Sequence, residues 1–178
     1  MAERQQHGRF DQKQAERFEG LSPRDRINAV LANTAPGDQR FMSRFLEQQC
    51  KLRGVQDLSE NTSLTTFAFK VDRYYCNPSN NLHGGAQSAM YDVCTSIALQ
   101  SRGRRDFWIN GGVSRTLNVT YLRPAPEGED LLLECEIVHT AKKLALLRGV
   151  LRRERDGAVI STCDHDKAAV QSKPGWKL

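Results

Sequence analysis

The chain has 178 residues, of which 39% are hydrophobic and 26% charged, a size and mixture that fit one ordinary globular domain. No apolar run nears the ~20 residues of a membrane span, and the opening segment MAERQQHGRFDQKQAERFEG lacks the apolar stretch of a secretory signal and mixes acids with its arginines. Five scattered cysteines (Cys50, Cys76, Cys94, Cys135, Cys163) without a CxxC pair suit a reducing compartment, and a net charge of +5 favours anionic partners without choosing among them. The expectation is an intracellular protein, cytoplasmic or mitochondrial, that does not engage a membrane.

In chain order, Ser22-Pro23-Arg24-Asp25 reads as a helix start: Ser22 caps, Pro23 suits the first turn and Asp25 reaches back. Ile27, Val30 and Leu31 give that helix one apolar face, and Thr34-Ala35-Pro36-Gly37 ends it. A second helix is expected from Asp38 to about Leu52, with Phe41, Phe45, Leu46 and Leu52 inward. Residues 1–60 thus read as an N-terminal helical extension, a lid or packing arm too short to bury much core alone.

From Leu64 the period changes to two. Phe67, Phe69 and Val71 alternate with polar partners. A polar loop, Cys76 to Asn81, precedes NNLHGGAQSAMYDVCTSIALQ, which reads as one long helix, apolar almost all round. Alternation returns at Val113, Arg115, Leu117, Val119 and Tyr121, again at Leu131, Leu133, Cys135 and Ile137, and from Leu144 to Arg153. Asp156-Gly157 turns the chain into a last strand, Val159 to His165. A helix apolar on all sides must be wrapped. The fold expected is α+β: an antiparallel sheet curled around one long central helix, the hotdog arrangement, over residues 61–170, with a tail at 171–178. Exposed sheet edges favour pairing with a second copy, giving a homodimer, or a tetramer as a dimer of dimers.

Asp92 interrupts the apolar helix. Residues four apart put Gly84, Ser88, Asp92 and Ser96 on one stripe, with Gly85 and Thr95 beside it. A carboxylate there either bonds Ser88 or Ser96 to fix packing, or does chemistry. Gly84-Gly85 leaves the helix N-terminus open to a ligand, and its unpaired N–H groups can polarise a carbonyl oxygen. Asp92 lies eight residues on, ~12 Å along the axis. Both groups can serve one reacting centre only if a second subunit supplies one of them.

Asn77, His83-Gly84-Gly85, Asp92 and Gly112-Val113-Ser114, with NVTYLRPAPEGEDLLLECEIVHTAKKLAL, resemble the hotdog acyl-CoA thioesterases of the phenylacetate-pathway type, the small acyl-coenzyme A thioesterases above all. The likeness runs from about Leu64 to Ala168. It implies an enzyme that cleaves acyl-CoA to free acid and CoA, with no separate cofactor. It implies that the Gly84 N–H polarises the thioester carbonyl and that Asp92 activates water or attacks directly. Asn77 would hold the carbonyl or the water, and Ser114 would place the water. His83 and Gly85 complete the motif, with the His83 ring read as structural. The CoA moiety would lie along Tyr121, Leu122, Arg123 and Pro124 and along the turn from His139 to Leu144, where Lys142 and Lys143 suit phosphates; on the residues alone, Lys142-Lys143 reads as an ordinary solvated turn. The loop Ser101 to Trp108 is longer than the family's. Its arginines are candidates for CoA phosphates and its Phe107 and Trp108 for the acyl pocket, with an ordinary surface loop the other reading.

Other readings remain: release of an acyl or polyketide chain from an acyl carrier protein, or acyl-CoA binding without catalysis. Cys163 and His165 share a strand face, but no second ligand pair has zinc spacing, so no metal is expected. The basic runs at Arg102 and Arg152 carry no nucleic-acid motif, and no phosphate-binding glycine loop or dinucleotide fingerprint is present.

Overall fold

The computed structural model describes residues 12–32, 38, 40–105 and 107–170. Among the described residues the leading elements are the helices α1 (Gln12–Glu19), α2 (Pro23–Ala32) and α3 (Ser43–Gln48). Strands β1 (Lys51–Asp57) and β2 (Ser63–Lys70) follow, then the central helix α4 (Gly84–Gln100). Strands β3 (Val113–Tyr121), β4 (Asp130–Thr140), β5 (Leu144–Arg153) and β6 (Val159–Ala168) come last among the described residues. All pairings are antiparallel, in the order β1-β2-β4-β5-β6-β3. The sheet packs α4 against one face, which is the hotdog arrangement.

The alternating positions supply that face. Phe67, Phe69, Leu131, Leu133, Cys135 and Leu151 are buried with Met90, Tyr91, Cys94 and Ile97 of the helix, and Ile137 and Leu147 with Leu99 and Trp108. Each such large apolar side chain contributes about 1.5–3 kcal/mol. At β5 the approach is close enough that a Cβ on Gly149 would stand 2.5 Å from Tyr91 Cδ1. A bulge after Leu151 breaks the β5–β6 register, and the Leu151 N–H donates to the Tyr91 hydroxyl at 3.0 Å instead. The Tyr91 hydroxyl bonds Ser161 Oγ, Ser161 donates to Gln87 Oε1, and Gln87 Nε2 donates to the Leu82 carbonyl. This buried, satisfied chain fixes the roll of α4, and with it the direction of Asp92.

The start of α2 is as expected: Ser22 Oγ accepts from the Asp25 N–H at 3.2 Å and donates to its carboxylate at 2.6 Å. The expected end at residues 34–37 lies outside the described residues, as does the tail at 171–178. The second helix is corrected. It covers only Ser43–Gln48; Phe41 is 85% exposed, Met42 is buried in its place, and Leu52 belongs to β1. Lys51–Asp57 instead hydrogen-bonds the free edge of β2, with Lys51 opposite Ala68 and Asp57 opposite Ser63. A row of main-chain bonds outweighs a weak helical pattern. The sheet therefore begins inside the segment read as helical, and β1 pairs with β2 across the 60/61 division.

The leading helices are packed, not loose. Ala15 and Phe18 bury against Ile109. Arg26 donates to the carbonyls of Phe18 (3.2 Å), Glu19 (2.7 Å) and Ser101 (3.1 Å), satisfying chain ends of α1 and α4 together. Among the described residues, no helix is long and apolar enough to cross a membrane.

Candidate active site

Helix α4 begins at His83, whose extended backbone (φ −63°, ψ 136°) makes it the N-cap. Its Nδ1 accepts the Gly85 N–H at 2.9 Å. A Cβ on residue 85 would sit 3.1 Å from that nitrogen, so glycine lets the ring close on the helix end. An accepting Nδ1 places the imidazole proton on Nε2. Asn77 shapes the loop before it: its Oδ1 accepts the N–H groups of Ser79 (3.0 Å) and Asn81 (3.1 Å). Gly84 is covered by Tyr121 of β3. The Tyr121 hydroxyl donates to the Gly84 carbonyl at 2.9 Å and meets Ser88 Oγ at 2.6 Å.

The polar stripe of α4 faces β3 and β6. A bulge between Ser114 and Thr116 turns Ser114 to the helix side of β3 and sends Arg115 to Asp166 at 2.9 Å. Arg115 is thus corrected from the face it shared with Leu117: the extra residue reverses the alternation. Ser114 Oγ donates to Asp92 Oδ1 at 2.5 Å. His165 Nε2 of β6 stands 3.4 Å from the same oxygen, without hydrogen-bond geometry, and is otherwise unsatisfied. His165 Nδ1 lies 2.6 Å from Thr95 Oγ1. Lys167 Nζ donates to Ser96 Oγ at 2.7 Å and to Ser114 Oγ at 3.3 Å, and Ser96 Oγ donates to the Asp92 main-chain carbonyl at 2.6 Å. Asp92 Oδ1 is therefore committed within the chain. The side chain keeps 45% exposure, so the acid on this apolar helix opens outward.

Burial governs this seam. His165 is fully enclosed, which pulls its pKa down to about 4; the Lys167 charge pulls the same way, while Asp92 and Asp166 oppose. Burial also lowers the Lys167 amine, against the pull of Asp92. Burial first, then the neighbouring acids, pushes the Cys163 thiol up to about 12, which leaves it an inert thiol. At neutral pH His165 is uncharged. Thr95 Oγ1, which lies 2.6 Å from Nδ1, also donates to the Tyr91 carbonyl at 2.7 Å and so ties the ring to the backbone of α4.

The expected site residues fall into two groups. Asn77, His83, Gly84 and Gly85 lie at the start of α4, beside Tyr121, Leu122, Arg123 and Pro124 at the end of β3. Asp92 and Ser114 lie toward the other end. There Val113 and Leu144 both pair with Ala168, next to the turn carrying Lys142 and Lys143 and the β4 bulge at His139. From Val113 to Tyr121 the strand covers roughly 26 Å. One chain does not bring the groups together. Arg123 donates to the Val159 carbonyl at 2.8 Å. Two loop candidates are spent on the fold: Trp108 is buried with its Nε1 donating to the Ala141 carbonyl, and Arg102 bonds Asp57 and the Thr62 carbonyl.

Sequence reading missed Lys167 and weighed His165 only as a metal ligand. Their signal is present: Cys163, His165 and Lys167 alternate on the inward face of β6, where apolar residues belong. Among the described residues no cluster of three or more His, Cys, Asp or Glu could hold a metal.

The thioesterase superfamily matches residues 79–160. The mouse acyl-coenzyme A thioesterase 13 is 28% identical over 124 residues, 66% of this chain and 86% of the mouse protein. The human acyl-coenzyme A thioesterase 13 is 31% identical over 98 residues, 55% of this chain and 67% of the human protein. The crystal structure of zebrafish thioesterase superfamily member 2 superposes with a TM-score of 0.70 at 22% identity, covering 85% of this chain and all of that one. With the sheet wrapped on α4 and Asp92 standing on its polar stripe, these likenesses make the chain a member of the thioesterase superfamily, the hotdog-fold thioester hydrolases.

Proposed function

We propose that this chain hydrolyses acyl-CoA thioesters at a site completed by a second copy of itself. The observation that carries the reading is the division of the candidate residues between two ends of one chain. Asp92 and Gly84 are ~12 Å apart along α4, too far to share a carbonyl, yet each is formed locally to act. A two-fold axis perpendicular to the seam runs the two copies antiparallel and sets one chain's Asp92 end against the partner's Gly84 end.

The chemistry follows. The Gly84 N–H at the start of α4 donates to the thioester oxygen and stabilises the oxyanion. Asp92, held at Oδ1 by Ser114, offers Oδ2 to a water. The water oxygen bonds the carbonyl carbon while its proton passes to Asp92. Collapse breaks the C–S bond, and the proton goes to the departing thiolate. The products are a carboxylic acid and CoA, so CoA enters only as part of the substrate. Asn77, with its oxygen engaged in the loop, has its Nδ2 hydrogens for the carbonyl or the water. Arg123, Lys142 and Lys143 have the charge for the CoA phosphates. The names of the mouse and human relatives support the acyl-CoA choice.

The test is Asp92→Asn, assayed by release of free thiol from a graded series of aliphatic and aromatic acyl-CoAs and from matched acyl-carrier-protein thioesters. The expected loss in kcat is about 10²–10⁴-fold with CoA binding retained. A variant hydrolysing at the wild-type rate overturns Asp92 as the base. Preference for the carrier-protein thioesters overturns the choice of CoA.

A further inference from the structure

We propose that Lys167 is a positioning residue of the hydrolytic site: its ammonium group, enclosed between α4 and β6, holds the Ser114 and Ser96 oxygens as acceptors and so turns both hydroxyl protons onto Asp92. The inference rests on Asp92 being the base of the reaction proposed above.

Lys167 is 3% exposed. Enclosing an ammonium is costly unless it is paired, and among the described residues no carboxylate lies within ion-pair distance of its Nζ. Its bonds go to two serines, Ser96 at 2.7 Å and Ser114 at 3.3 Å. An ammonium has three donors and no acceptor. Each serine oxygen bonded to it must therefore spend its own proton elsewhere. Ser114 gives its proton to Asp92 Oδ1 at 2.5 Å, and Ser96 gives its proton to the Asp92 main-chain carbonyl at 2.6 Å. A proton on Oδ1 would collide with the Ser114 proton. The network thus admits Oδ1 only as an unprotonated acceptor and leaves Oδ2 for water and its proton. The charge of Lys167 reaches Asp92 through Ser114, a relay that a packing role does not need.

The surroundings leave this arrangement intact. From α4 the facing charge is Asp92. From β6, His165 and Cys163 face the seam while Asp166 turns out to Arg115 of β3. Strand β5 places uncharged Ala145 and Leu147 opposite Lys167 and His165. Lys142 and Lys143 of the β4–β5 turn are exposed.

The experiment compares wild type, Lys167→Met, Ser114→Ala and the double variant. Lys167→Met is expected to lower kcat about tenfold with KM little changed. The acid limb of its pH–rate profile should move up by on the order of one unit. In the Ser114→Ala background the same substitution should cost little more, because both act on one oxygen. An unmoved acid limb, or losses that multiply in the double variant, overturns the proposal. Should Lys167→Met not fold, Ser96→Ala loosens the ammonium and is expected to lower kcat severalfold at constant KM; wild-type kcat there overturns it equally. A titration of 13C-labelled Asp carboxyls in wild type and Lys167→Met needs no turnover. It separates failure of this proposal, an unshifted Asp92 signal, from failure of the hydrolase reading, a wild type that cleaves no thioester.

Discussion

The Tyr121 ring lies where a side chain on Gly84 would stand: a Cβ there would fall 3.3 Å from Tyr121 Cζ, while the Tyr121 hydroxyl donates to the Gly84 carbonyl at 2.9 Å. The glycine is held by a neighbour from a different strand, and the free main-chain N–H is presented beside it. Tyr121 is 49% exposed and can yield by a few tenths of an ångström. Gly84→Ala is therefore expected to leave the melting temperature nearly unchanged and to lower kcat about tenfold or more, since a misplaced oxyanion donor costs rate before it costs stability. Mixing and refolding Gly84→Ala with Asp92→Asn should restore about one quarter of wild-type sites, because half the dimers are mixed and one of their two sites is intact. No recovery in the mixture would place both residues in a single subunit's site.

Ser114 touches Asp92 directly. With Asp92 as the base proposed above, Ser114→Ala is expected to reduce kcat about 10–100-fold with KM within a factor of about three, because the contact would matter as the proton is taken. Steady-state kinetics decide it; a loss confined to KM would make Ser114 a substrate-binding residue.

His83 caps α4 through Nδ1. His83→Ala leaves the Gly85 N–H without that acceptor and is expected to cost about 1 kcal/mol, a few degrees in Tm. His83→Asn, which can also cap, should recover most of it. Thermal denaturation followed by circular dichroism measures both, and an unchanged Tm for the alanine variant would assign the ring to the substrate instead.

His165 titrates far lower in the folded chain, at about 4, than its ordinary value of 6.5. The unfolded chain therefore binds a proton that the folded one refuses as acid is added. The stability this group contributes is fully present above pH 6.5 and is lost as pH falls toward 4. Urea denaturation at a series of pH values should show that decline, and His165→Gln should flatten it. An equal decline in the variant would trace it to other groups.

The sequence shows the sheet and helix wherever one face is dry. Strands β2, β4 and β5 bury every second residue, and α4 is apolar on nearly all sides, so periodicity marks them. Strand β1 has no such mark: its exposure does not alternate, and its place comes from main-chain bonds to β2. The bulge at Arg115 is equally silent, since a register shift depends on the partner strand. Asp92, Gly84 and Ser114 were legible as a stripe and a motif. The groups that hold Asp92 were not, because His165 and Lys167 come from the last strand, more than seventy positions away, and meet it only when β6 closes beside β3.

Arg26 has one further consequence. With its guanidinium shared among the carbonyls of Phe18, Glu19 and Ser101, the leading helices share bonds with the end of the central helix. They are expected to melt with the sheet in one cooperative step, so limited proteolysis should find no early cut between residues 15 and 30.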